Sequence, residues 1–227
     1  MLSTIVERNI EYLKENGFIE FDNSVDFMHL TLTYRGPLHA QSSNDTRKNE
    51  KQAMRRQFHK QMLDLRETHP ALDGIIGKWR TLDKPDQIRN SANDFVTAYD
   101  VDRFRFIPIV TKRSFLCCEL DILFLRKEPA GYIIDRESGD IDNRIKVLFD
   151  ALRMPKEQEI PDKDWPYVNE SPFFCLLEDD ALITGFKIET DRLLYPPATS
   201  ETEVELVIRT KIKIIKLTYG NMGLGGD

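Results

Sequence analysis

The chemically most informative stretch of the sequence covers residues 140–152 and reads DIDNRIKVLFDAL. If this stretch is a helix, a spacing of four places Asp142, Lys146 and Asp150 on one polar face. Asp140 then lies just before the first turn, where a helix N-terminus offers free N–H groups and a partial positive charge. The pattern predicts two carboxylates at one end of a helix, with a lysine one turn further along.

A second acidic group, Glu178-Asp179-Asp180, comes directly before a predicted strand. Three successive carboxylates at the entrance of a strand are costly unless water or a cation solvates them. Carboxylates gathered from two distant segments suit Mg²⁺, for which Mn²⁺ could substitute. Such an ion can activate water and stabilise the leaving oxygen of a phosphodiester, and a nearby lysine can stabilise charge on the phosphate. The two segments together therefore suggest metal-dependent phosphodiester hydrolysis.

Both segments also have purely structural interpretations. Asp140 or Asp142 could be the N-cap of a helix. The series Asp142, Lys146 and Asp150 could be a ladder of i,i+4 salt bridges. The second acidic group could be a solvated loop. Periodicity alone does not choose between these alternatives.

The pattern Asp-x-Asp-Asn-x-x-Lys-x-x-x-Asp-Ala-Leu, followed by Asp-Asp at a strand start, resembles the RusA family of Holliday-junction resolvases. These are small, homodimeric, Mg²⁺-dependent endonucleases that are often encoded by prophages. The resemblance implies that Asp140, Asp142 and Asp180 are catalytic metal ligands, with Asp179 as a further candidate ligand, and that Lys146 is the essential catalytic lysine. It also implies branched DNA as the substrate and a role in recombination and repair.

A homodimer also agrees with the geometry of such a substrate. A four-way junction presents scissile phosphates that are related by a two-fold axis, and one metal site per chain can cut only one strand at a time. Closed two-fold pairing is the commonest form of oligomer. We therefore expect two chains to act together.

Positive charge is concentrated in one part of a chain whose net charge is −6. The acidic balance alone argues against a nucleic-acid-binding protein, but residues 44–66 hold seven bases and three acids. We predict that this segment, together with bases near the motif, contacts backbone phosphates. The predicted DNA-binding residues are Arg47, Lys48, Lys51, Arg55, Arg56, Lys112, Arg113, Asn143 and Arg144.

The elements that must position these residues follow from the apolar pattern. Helices are predicted over residues 4–16, 45–66 and 141–153. Strands are predicted over residues 28–34, 104–111, 115–126, 182–190 and 203–215. This order predicts an α+β fold, with a mixed sheet of about five strands and helices packed on one face. The resemblance implies that the arrangement is RusA-like.

We interpret residues 1–227 as a single domain with additions to a RusA-like core. Residues 1–27 are predicted to be a helical extension, and residues 67–103 an irregular insertion. Residues 154–178 hold four prolines and several acids and are predicted to be a second insertion. The glycine-rich residues 218–227 are predicted to be a flexible tail. Trp79 and Trp165 lie in the insertions and could stack on bases, although packing is the more common role for such residues.

Several classes of protein are excluded by composition. No apolar run reaches the length of a membrane helix, and the N-terminus lacks the pattern of a secretory signal. The three cysteines, two of them adjacent, make no disulfide framework and no Cys-x-x-Cys metal pair. These features predict a cytoplasmic protein with no membrane partner. Two alternatives stay open: a catalytically silent RusA-like nucleic-acid-binding or regulatory protein, and a nuclease of the same chemistry acting on another branched or single-stranded substrate.

Overall fold

The computed structural model describes residues 25–40, 47–68, 98–128, 141–194, 198 and 200–216. The predicted helix over residues 4–16, the tail over residues 218–227 and Asp140 lie outside these ranges. So do Trp79 and most of the predicted insertion over residues 67–103.

The described residues alternate between strands and helices. The elements are β1 (Val25–Pro37), α1 (Lys48–Thr68), β2 (Tyr99–Val101), β3 (Phe104–Val110), β4 (Leu116–Arg126), α2 (Ile141–Leu152), β5 (Phe173–Leu177), β6 (Ile183–Arg192) and β7 (Glu203–Ile214). Short 3₁₀ turns lie at Glu157–Glu159 and Asp180–Leu182. The predicted α+β class is confirmed. No helix within the described ranges has both the length and the apolar character needed to cross a membrane.

The strands form two sheets instead of the predicted single sheet of about five strands. One sheet has four strands in the order β1-β7-β4-β6, and the other has three in the order β2-β3-β5. In the larger sheet, β7 is antiparallel to both β1 and β4, while β4 and β6 are parallel. In the smaller sheet, β3 is antiparallel to β2 and parallel to β5. The last of the described strands, β7, therefore lies in the interior of the larger sheet, between β1 and β4.

Two strands were absent from the sequence prediction. Tyr99–Val101 lies at the end of the predicted irregular insertion, and Phe173–Leu177 lies inside the predicted acidic insertion. All five residues of β5 are buried, because the strand lies beside β3 and packs against α1. A strand covered on both faces is apolar without alternation. The segment over residues 154–178 is therefore only in part a surface insertion, since its last residues form a strand of the core.

The main core lies between the four-stranded sheet and the helices, as the alternation predicts. Every second residue of β7 from Val204 to Ile214 is buried. In α1, an apolar stripe buries Met54, Phe58 and Met62, and Leu65 packs at its edge. The apolar stripe of α2 is fully buried and consists of Ile145, Leu148, Phe149 and Leu152. With these apolar faces turned inward, both helices direct their polar residues along their sides and toward one another.

A smaller core lies on the other side of the small sheet. It joins Phe104, Phe106 and Phe173 to Ile160, which comes from the segment after α2. The rings of Phe106 and Phe173 have centroids 5.2 Å apart. This cluster anchors the acidic segment to β3 and β5.

The three cysteines are buried and free. Burial raises the pKa of Cys117 to about 11 and also raises the pKa values of Cys118 and Cys175. Protonated, buried thiols are unreactive, so these residues act as small apolar side chains.

Candidate functional site

The first turns of α2 carry the motif side chains that remain accessible. Lys146 Nζ lies 3.2 Å from Asn143 Oδ1 and 3.9 Å from Asp142 Oδ2. The side chain of Lys146 is 38% exposed, and that of Asp142 is 20% exposed. The predicted helix therefore places a partly exposed lysine beside a half-buried carboxylate, one turn apart.

Asp142 has one carboxylate oxygen that no described residue satisfies. Its Oδ1 atom is buried and accepts no hydrogen bond within the described ranges. Leaving a buried acceptor without a donor costs about 1–3 kcal/mol, and more for a charged group. A cation at this oxygen would remove that cost. The residue therefore has the character expected of a metal ligand.

The second acidic group divides into residues with different roles. Glu178 Oε2 accepts a hydrogen bond from the backbone N–H of Lys112 at 2.8 Å, which ties it to the turn between β3 and β4. Asp179 Oδ1 accepts from the backbone N–H of Ala181 at 2.9 Å and caps the 3₁₀ turn. Lys112 Nζ lies 3.9 Å from the other oxygen of Asp179. Glu178 is thus structural, and Asp179 already has partners.

The carboxyl groups of Asp179 and Asp180 influence each other's pKa in opposite directions. Although Asp180 keeps access to solvent, partial burial raises its pKa, and the hydrogen bond and negative charge of Asp179 raise it further. For Asp179, burial alone would raise the pKa. Hydrogen bonds from the Ala181 backbone and the Asp180 side chain outweigh burial and lower the pKa below the usual range. Of the two carboxyl groups, Asp180 is therefore the one that binds a proton more readily.

The two motif segments meet in the structure. The 3₁₀ turn over Asp180–Leu182 contacts α2, and the charge of Asp150 on that helix raises the pKa of Asp180. Asp140, the remaining expected ligand, lies outside the described residues. Within the described ranges, no three His, Cys, Asp or Glu side chains are grouped closely enough to hold a metal ion. The metal site of Asp140, Asp142, Asp179 and Asp180 stays a prediction.

Asp150, the third member of the motif series, is fully paired. Its Oδ2 atom lies 2.7 Å from Lys51 Nζ, and its Oδ1 atom lies 2.6 Å from Arg153 Nη2. Arg153 also binds Glu159, at 2.8 Å. Sequence reasoning did not include Arg153 or Glu159, although the i,i+3 spacing of Asp150 and Arg153 was a signal for one of these pairs.

Three predicted DNA-binding residues have internal partners instead of phosphate contacts. Lys51, Arg55 and Arg144 are buried, with at most 2% of each residue exposed. Arg55 Nη2 donates to the backbone oxygen of Asp150 at 2.8 Å, and Arg144 Nη2 donates to that of Glu201 at 3.4 Å. A DNA backbone cannot reach side chains that are enclosed in this way. Their predicted role is therefore corrected to a structural one.

The other predicted DNA-binding residues differ in accessibility. Arg56 is occupied by Asp164 and Glu170, at 2.9 and 2.8 Å. Arg113 is exposed, while Arg47, Lys48, Lys112 and Asn143 are half-buried. The continuous basic face predicted for residues 44–66 is therefore reduced to the start of α1 and a few separate bases.

No protein-family model, no curated protein and no solved structure matches this chain. The resemblance to the RusA family rests on residues 140–152 and on Asp179-Asp180.

Proposed function

We propose that this protein is a RusA-like, metal-dependent, structure-selective DNA endonuclease that cleaves Holliday junctions or related branched DNA in recombination and repair. The observation that carries the proposal is the contact between α2, which bears Asp142 and Lys146, and the 3₁₀ turn that bears Asp180. These residues come from the two separate sequence segments that the motif joins. A salt-bridge ladder on one helix would not require the second segment to lie beside it.

Asp142 and Asp180, together with Asp140 and Asp179, would hold the metal ion. The chemistry of the donors fits Mg²⁺, since all are carboxylates and Asp142 Oδ1 is buried without a hydrogen bond from any described residue. Bound Mg²⁺ would supply positive charge for the phosphate and make a bound water more acidic.

Lys146 and Asn143 would act on the substrate. The side chain of Lys146 is 38% exposed, and its ammonium group stands at hydrogen-bonding distance from Asn143 Oδ1. Asn143 would hold the lysine in position, and Lys146 would stabilise the charge that develops on the phosphate. Arg113, Arg47 and Lys48 remain as candidates for backbone contacts outside the cleaved bond.

A homodimer would provide one such site for each of the two related strands of a junction. Light scattering should give the mass of a dimer, with or without DNA. A monomer mass at micromolar protein concentration under both conditions would contradict this part of the proposal.

The function is tested by cleavage of a panel of DNAs with the wild-type protein. The panel contains a four-way junction, a replication fork, a linear duplex and a single strand, each with Mg²⁺, Mn²⁺ or EDTA. We expect cleavage of the branched substrates with either metal and none in EDTA. Tight binding of junctions without cleavage in any metal would support the catalytically silent alternative, and cleavage of the single strand alone would assign a different substrate.

A further inference from the structure

An exposed aromatic surface lies in the middle of the acidic segment over residues 154–178. It consists of residues 165–168 and is called the aromatic tip below. Trp165 and Tyr167 are 67% and 62% exposed, and Val168 is fully exposed. Large side chains that are open to this extent in a cluster are typical of binding surfaces. We propose that the aromatic tip stacks on unpaired bases of the DNA substrate, an inference that rests on the proposed function.

The aromatic tip is fixed in place by contacts to α1. Arg56 Nε binds Glu170 at 2.8 Å, and Arg56 Nη2 donates to the backbone oxygen of Trp165 at 3.1 Å. The backbone N–H of Tyr167 donates to Glu170 Oε2 at 3.0 Å. A surface that is ordered before binding loses less conformational entropy on binding than a mobile loop. The two rings are therefore presented to solvent by a rigid support.

Each exposed ring has a guanidinium group against it. The Arg56 guanidinium carbon lies 4.4 Å from the centroid of the Tyr167 ring, and that of Arg103 lies 4.8 Å from the centroid of the Trp165 ring. Arg103 also donates to the backbone oxygen of Asp162 at 3.0 Å. Nucleobases stack both on aromatic rings and on guanidinium planes. The aromatic tip offers both types of surface side by side.

The groove beside the aromatic tip holds two lysines that can contact a DNA backbone. This open groove has a volume of about 670 Å³, and its lining includes Lys60, Lys163 and Tyr167 together with the acids Asp162 and Asp164. Lys60 and Lys163 are exposed, so their ammonium groups can neutralise phosphates. The acids Asp164 and Glu170 in the same region are already paired with Arg56. One strand would then stack its bases on the rings and place its phosphates in the groove.

The chemistry favours a single strand over a duplex or a protein partner. A duplex hides the faces of its bases, whereas the strands at a branch point expose some of them. The core of a protein interface is depleted in lysine, but this surface has two lysines and two arginines around two rings. Aromatic rings next to lysines that can contact a phosphate backbone are typical of single-strand binding.

Tryptophan fluorescence gives a direct test, because the sequence has only Trp79 and Trp165. In a Trp79→Phe background, Trp165 is titrated with a short oligothymidylate and with a matched duplex, in EDTA to prevent cleavage. We expect saturable quenching by the single strand and weaker quenching by the duplex. Unchanged Trp165 fluorescence while the oligonucleotide binds would overturn the inference.

Matched variants separate stacking from other contacts. Tyr167→Ala should weaken binding of a labelled oligothymidylate about tenfold, whereas Tyr167→Phe keeps the ring and should retain the affinity. Leu194→Ala removes a 78%-exposed side chain outside the aromatic tip and should have no effect. Equal affinity of Tyr167→Ala and the wild type would contradict stacking. A change in Trp165 fluorescence with protein concentration alone would assign the surface to a second copy of the chain and also overturn the inference.

The test is independent of the cleavage assay. Quenching in a protein that cuts no branched DNA would support the stacking surface and refute the nuclease. If the protein cleaves DNA in a metal-dependent way but shows no quenching, and the variants keep their affinity, the nuclease is supported and the stacking surface is refuted.

Discussion

The two ends of α2 carry aspartates in different surroundings. Near its start, Asp142 has a buried oxygen with no described donor and a lysine ammonium 3.9 Å from its other oxygen. Two turns later, Asp150 has Lys51 and Arg153 at 2.7 and 2.6 Å. A paired carboxylate has little remaining capacity for a cation, whereas an unsatisfied one is stabilised by it. The comparison indicates that neighbouring elements, more than residue type or spacing, decide which aspartate can do chemistry.

The largest effect on cleavage should come from removing the charge of Asp142 at the start of α2. Asp142→Asn keeps the size of the side chain and removes its charge, so metal-dependent cleavage should fall by on the order of a thousandfold. Junction binding and the urea unfolding midpoint should be retained or slightly increased, since a charge that lacks full compensation has been removed. Gel-shift, cleavage and unfolding measurements on the same preparation check this.

Asp121→Asn is a matched control for that variant. Asp121 is partly exposed, lies 3.4 Å from Arg209, and alternates along β4 with the buried Leu120 and Ile122. This control should cleave at the wild-type rate. If Asp142→Asn also cleaves junctions at the wild-type rate, the nuclease assignment is wrong and a salt bridge with Lys146 is the better explanation of the motif.

At the other end of α2, removing the charge of Asp150 should lower the stability of the protein and leave its activity unchanged. Asp150→Asn leaves the buried ammonium of Lys51 and the guanidinium of Arg153 without their shared carboxylate. Removing one partner of a buried pair costs about 3–5 kcal/mol. We therefore expect a clear loss in the free energy of unfolding, measured with urea.

A second substitution sharpens this result. In Lys51→Met/Asp150→Asn the buried ammonium is also removed, so part of the lost stability should return. If Lys51→Met leaves stability unchanged but weakens junction binding, Lys51 contacts DNA as the sequence predicted, and the assignment of a structural role is wrong.

Lys146→Ala should have a smaller effect on cleavage than Asp142→Asn. Its proposed role toward the phosphate predicts a loss of about a hundredfold in turnover, with metal affinity retained in calorimetry because the carboxylates are intact. Lys187→Ala, at an exposed site on β6, is the control and should behave like the wild type. Loss of metal binding in Lys146→Ala would show that the lysine organises the carboxylates.

The smallest effect concerns pH and the contacts of α1 with the acidic segment. His59 is buried, its Nδ1 accepts from the Phe174 N–H at 2.8 Å, and its Nε2 donates to Asn169 O at 3.0 Å. Burial lowers the pKa of His59 below 6.5, although the Asn169 contact and the charge of Glu170 oppose this. Between the two pKa values the unfolded chain binds the proton and the folded one does not, so stability should fall as pH drops below about 6.5.

Urea unfolding between about pH 5 and pH 8 measures this dependence, with His59→Gln as the variant. Glutamine can still accept from Phe174 but does not titrate, so the loss of stability at low pH should become smaller. The same substitution at the exposed His29 should leave the wild-type profile unchanged. A His59→Gln profile parallel to the wild type would show that other groups carry the pH dependence.

The elements with a clear local period were predictable from sequence. The alternation in β1 and β7 and the stripes of α1 and α2 specify which faces are buried, and the structure agrees. β5 was missed because its uninterrupted apolar residues lie in a segment with four prolines. A strand that is buried on both faces has no alternation to detect.

The candidate site was predictable only in part, because its surroundings depend on long-range contacts. Spacing placed Asp142, Lys146 and Asp150 on one face but treated the two aspartates alike. The partner of Asp150 is Lys51, which lies 99 residues away in sequence. The same contact buries a base that composition assigned to a DNA-binding surface. Pairing across this distance has no signal in residue spacing.

The position of β7 has a consequence for the synthesis of the protein. Glu203–Ile214 lies between β1 and β4, so the last of the described strands holds together two strands that are synthesised much earlier. Until it leaves the ribosome, β1 and β4 have unpaired edges that can join those of other nascent chains. A polypeptide interrupted before Glu203 would contain the whole of α2 and the 3₁₀ turn at Asp180 but would lack the strand that joins β1 to β4 in the larger sheet. Unfinished chains should therefore be substrates for chaperones and proteases.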